Sequence, residues 1–99
     1  MLYSDLQNTV QHAGFTATEF SDQQAYFGCW SLTVEGHGHT YLIVHEGRDG
    51  WLILYRRDVS GTLTELDKKE SARMDETDKA AQCLIWLTDC PLLWMLNEQ

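Results

Sequence analysis

Along this 99-residue chain the spacing of apolar positions changes from helical to alternating and back to helical. Leu2, Leu6, Val10 and Ala13 form a stripe at helical spacing. Ser4 suits the N-cap and Asp5 the first turn, while Gly14 and Phe15 fit the end of a helix closed by a left-handed glycine. These signals predict a helix over 3–13. Residues 15–25 are polar and rich in Thr and Gln, and read as an irregular edge strand or a loop. Tyr26–Glu35, His39–His45 and Trp51–Arg57 are rich in β-formers and predict three strands, with Thr62–Leu66 a weaker fourth. The connections carry turn residues: Gly36-His37-Gly38, then Glu46-Gly47-Arg48-Asp49-Gly50 with its Asp-Gly signature, then Ser60-Gly61. Asp67 to Lys79 mixes charges of both signs and is expected to be a solvated connector leading into a helix. That helix should span about 75–89, with Asp75 as N-cap, Ala80, Leu84 and Leu87, flanked by Cys83, as its buried stripe, and Pro91 stopping or kinking it.

Connections this short make neighbouring strands antiparallel. The expected fold is therefore α+β: a single domain over 1–99, with a small antiparallel meander of three to four strands flanked by an N-terminal and a C-terminal helix in two layers. Two strands are apolar on both sides, Leu42 and Val44 against Tyr41 and Ile43, and Leu52 and Leu54 against Trp51, Ile53 and Tyr55. A strand with one wet face alternates apolar with polar. Either helices cover both faces, or one face is an aromatic surface that meets a partner. Read strand by strand, Tyr41, Trp51 and Tyr55 are assigned to that surface, whereas Trp30 and Trp86 are expected in the core. The run Leu92–Leu96 either completes the core or docks onto a second subunit, so a homodimer through it or through the sheet face is an alternative.

Charge narrows the partner. The net charge is −8, and residues 1–47 hold five acids with no Lys or Arg. Nucleic acids and anionic membranes are bound largely through Lys and Arg, so neither is an expected partner. A basic protein is. No apolar run approaches the roughly 20 residues of a membrane helix, and no export signal is recognised. Together with three cysteines (Cys29, Cys83, Cys90), an odd number without CxxC spacing, this leads to the expectation of buried free thiols in a reducing cytoplasm.

Candidate chemistry is sparse. His37 and His39 project from one side of an extended segment and would both reach one metal ion, with Cys29 or Glu35 as a third ligand. His45 lies about 20 Å along the strand from His39, too far for the same ion. No nucleophile elbow, triad order or phosphate loop is recognisable, so no catalytic residue and no cofactor are assigned, and an enzyme is not expected. The residues set out for partner binding are Tyr41, Trp51 and Tyr55, ringed by Glu46 and Asp49, because large aromatics bury much area at low entropic cost. They suit an inhibitor or immunity-type protein that neutralises a basic toxin or nuclease. The alternatives are a phage-type inhibitor of host defence that mimics nucleic-acid charge, and a homodimeric small-ligand- or metal-binding protein or enzyme using His37 and His39.

Overall fold

The computed structural model describes residues 2–23, 29–36 and 38–97, with side chains placed within 6–22, 29–36, 38–75 and 77–88. The order of elements is α1 (Leu2–His12), β1 (Thr16–Gln23), β2 (Cys29–Gly36), β3 (His39–Glu46), β4 (Trp51–Arg57), β5 (Leu63–Glu70) and α2 (Glu76–Asn97). The strands form one antiparallel sheet in the order β1-β2-β3-β4-β5, a meander with a helix at each end of the chain. The fold is α+β as expected, with five strands rather than three to four.

Both additional stretches of strand are edges. β1 takes up the Thr-rich segment, and β5 extends through Asp67, Lys68, Lys69 and Glu70, which the charge pattern assigned to a connector. An edge strand has solvent along one side and tolerates charge at most positions; charged edges also discourage pairing with other sheets. The apolar strands β2, β3 and β4 lie between these two edges.

Local signals act where the pattern placed them. Phe15 N–H donates to the Val10 carbonyl at 2.9 Å and Gly14 N–H to the Gln11 carbonyl at 3.0 Å, the paired bonds of a Schellman motif, with Gly14 at φ 85°. At the start of α2, Asp78 N–H donates to Asp75 Oδ1 at 2.8 Å and Asp75 N–H donates back to Asp78 Oδ2 at 3.4 Å, a reciprocal cap. Pro91 does not end α2, which runs on to Asn97. A proline within a helix removes one N–H donor, and the Leu- and Met-rich residues after it are good helix formers, so the helix carries through.

The core lies on one side of the sheet. Leu6 and Val10 of α1, and Cys83, Trp86 and Leu87 of α2, pack with Trp30, Leu32, Val34, Tyr41, Ile43, Leu52 and Leu54. Trp30 and Trp86 are thus core residues, as expected. Both helices share this face and touch each other. Trp86 ties the layers together: its indole N–H donates to Asp67 Oδ2 on β5 at 2.8 Å. Lys69 Nζ stands 3.8 Å from the same oxygen, but both side chains are well exposed and such pairs contribute little.

Asp67→Ala should leave a buried indole N–H without its acceptor and lower stability by about 1–3 kcal/mol in urea denaturation. Gly36 is equally constrained, since a Cβ there would stand 2.6 Å from Phe15 Cδ1 and 2.9 Å from the Gly14 carbonyl oxygen. Gly36→Ala should therefore cost about 1–3 kcal/mol by the same measurement, because backbone cannot move aside cheaply.

Candidate functional site: the open sheet face

Antiparallel register determines which side chains share a surface, since residues paired across strands point the same way. In the central hairpin Glu46 pairs with Trp51, Val44 with Ile53 and Leu42 with Tyr55, whereas Tyr41 pairs with Arg56 and His45 with Leu52. Leu42, Val44, Trp51, Ile53 and Tyr55 therefore form one apolar band on the face opposite the helices. Among the described residues no helix covers it. Its centre is nonetheless tightly packed: Ile53 is only 4% exposed and Thr33 7%, enclosed by their half-buried neighbours.

Tyr41 is not on this face. It is 1% exposed in the core, edge-on to Phe15 with ring centroids 5.8 Å apart, so its assignment beside Trp51 and Tyr55 is corrected. The four-residue turn Gly47–Gly50 puts odd-numbered residues of β3 with even-numbered residues of β4 on the core face, and even-numbered residues of β3 with odd-numbered residues of β4 on the open face. Grouping the three aromatics by number alone overlooked that inversion. Leu42, Val44 and Ile53, which the reading did not assign to the site, take Tyr41's place, and the turn length is the signal that identifies them.

Around the band the face is acidic. Glu19 and Glu35 stand on it from β1 and β2, Glu46 from β3, and Glu65 and Glu70 from β5, against Arg57 and Lys68. Glu46 is directly opposite Trp51, and Asp49 is exposed in the adjoining turn. The Lys68 ammonium sits over the Trp51 ring, 4.1 Å from its centroid, a cation–π contact worth about 0.5–1 kcal/mol on an exposed surface. Burial raises the Tyr55 phenol above its ordinary 10.0, and the charges of Glu65 and Glu46 raise it further. Tyr55 thus keeps its proton and offers an O–H donor beside carboxylates.

The histidine expectation fares differently. His37 lies outside the described residues. His39 begins β3 and its ring is tilted against Tyr41, centroids 6.1 Å apart. Glu35 pairs with Thr40 and so points to the other face from His39, and Cys29 is at the far end of β2. Among the described residues no three His, Cys, Asp or Glu side chains gather where they would hold a metal ion. His45 is buried against Trp30, centroids 5.7 Å apart.

The thiols also divide. Cys83 is buried in the core, where burial pushes its thiol up to about 12 and leaves it chemically inert, but Cys29 is half-buried rather than buried. Among the described residues no helix is long and apolar enough to cross a membrane.

The acidic ring has a direct readout in Tyr55. Its phenol should titrate above 10.0 by NMR, and replacing Glu65 and Glu46 together by Gln should move the midpoint down towards that value. No known protein family, no curated protein and no solved structure matches this chain.

Proposed function

We propose that this chain is an acidic protein-binding module, of the inhibitor or immunity type, whose open sheet face receives a cationic segment of a basic toxin or nuclease. The observation that carries the reading is the pairing of an uncovered aromatic and aliphatic band with a ring of glutamates. Trp51 already accepts one ammonium group, from Lys68 of its own sheet. A partner's Lys or Arg entering the band would take over that position, and Glu46 and Glu70 flank Trp51 across the two neighbouring strands. The net charge of −8 would steer a basic partner towards the chain and speed encounter. The half-buried Leu42, Val44, Trp51 and Tyr55 around that centre would then supply the area whose removal from water holds the complex together.

Native mass spectrometry of the untagged protein from its host lysate, without chelator, tests this reading. The expected species is a one-to-one complex with a larger basic protein. Trp51→Ala should weaken it by about 2 kcal/mol, or roughly thirtyfold. Charge reversal of Glu46 and Asp49 to Lys should abolish capture, with circular dichroism showing the fold retained. Undiminished capture by both variants would overturn the reading, as would a homodimer carrying one metal mass per chain.

A further inference from the structure

A surface helix of a small domain turns one side to the core and a charged or polar side to water. In α2 the second half of that rule fails. Cys83, Trp86 and Leu87 are buried in the core, and Ala80 packs against it. The opposite side carries Thr77, Ala81, Leu84, Ile85 and Thr88, all of them exposed, with Leu84 37% and Ile85 53% open to water. Asp78 stands exposed and Lys79 half-buried in the first turn, but residues 80–88 contain no charged side chain. The helix is therefore apolar or neutral all round in a chain of net charge −8.

That neutrality selects the occupant. Two copies of a chain this acidic repel each other, so they meet closely only where neither presents charge. The glutamate-edged open face is a poor place for such a meeting, and the outer side of α2 is a good one. A basic partner finds no counter-charge there. The spacing is also self-complementary. Thr77, Ala81, Leu84 and Thr88 are four, three and four residues apart, the repeat with which two helices pack along a common seam. Run antiparallel, Ala81 of each copy faces Leu84 of the other, large against small, and Thr77 faces Thr88 at the ends. The antiparallel direction also sends the exposed acids at the two helix starts, Asp75 and Asp78, to opposite ends of the seam. It sets each helix dipole against the other in the favourable sense.

We propose that two copies of this chain pair antiparallel through the outer side of α2, along Thr77, Ala81, Leu84 and Thr88, with Ile85 closing the flank. The contact is isologous, the same patch serving both copies. Its seam is about 17 Å long, less than two full heptads, so the pair is weak, with a dissociation constant of about 100 µM. The helices and the open face lie on opposite sides of the sheet, so pairing leaves that face free in both copies. In a dilute lysate the pair is dissociated, and one chain still meets one basic partner. The inference stands or falls without that partner.

Sedimentation equilibrium of the full chain, from about 10 µM to about 1 mM, tests the pairing. The mass should rise from 11.4 kDa towards twice that value. Leu84→Glu and Ala81→Lys each alter an exposed position and should leave the circular dichroism unchanged. Each should weaken self-association more than tenfold, because a charge is then buried against an apolar side chain. Mixed in equal amounts, the two variants should recover association to within about threefold of the parent chain. The ammonium introduced at position 81 of one copy then meets the carboxylate introduced at position 84 of the other, and Leu84 still meets Ala81 on the second side. A mass that stays at 11.4 kDa throughout, undiminished pairing in Leu84→Glu, or no recovery in the mixture would overturn the proposal. So would a dimer that survives both variants and is lost in Trp51→Ala, which would put the contact on the open face.

Discussion

Pairing of Glu46 with Trp51 across a four-residue turn fixes the parity of the central hairpin, and with it the surface to which every side chain of β3 and β4 belongs. Because the connection is even, Tyr41, Ile43, Leu52 and Leu54 fall together beneath the helices, and Leu42, Val44, Trp51, Ile53 and Tyr55 fall together on the other side. A shift of one residue would exchange the two sets. Here both sets are apolar, so alternation alone sets the register weakly. The turn, with Gly50 at φ 75° and its N–H donating to the Glu46 carbonyl at 2.8 Å, makes the choice.

With the core assigned to one face, the helices have one place to go. Leu6 and Val10 from α1 meet Cys83, Trp86 and Leu87 from α2 over the same strands, and the Trp86–Asp67 bond holds the end of the layer to the edge strand. The second face keeps its apolar band because two helices of a 99-residue chain are spent on the first. Its centre is sealed by its own neighbours and by Lys68 over Trp51, which limits the cost of leaving apolar surface next to water. Charge is likewise unevenly distributed: glutamates edge the open face, while Arg56 and Arg57, consecutive in β4, point to opposite faces at the end of the sheet remote from the β3–β4 turn.

Most elements were legible because their signals are local. The Gly14-Phe15 helix end, the Asp75 cap and the Asp49-Gly50 turn depend on residues a few positions apart, and each occurs where the pattern placed it. The edges were harder to read, since β5 carries Asp67, Lys68, Lys69 and Glu70, and no local preference distinguishes a charged edge strand from a charged connector. Of the two outcomes expected at Pro91, a stop or a kink, the stop does not occur, because the local cost of a proline is real but does not by itself end a helix of 22 residues.

The candidate site divides along the same line. By itself the sequence determined that two strands are apolar on both sides, that Trp51 and Tyr55 share a parity, that Glu46 and Asp49 flank the hairpin, and that the chain is acidic. Those are properties of composition and spacing within one strand. Tertiary structure decided that Tyr41 belongs to the core, that Lys68 covers Trp51, that Glu65 and Glu70 of β5 join Glu46 around the band, and that Arg56 and Arg57 come up against the segment entering β3. Each of these depends on which strands pair and in what register, contacts between residues far apart in the chain that no local preference encodes.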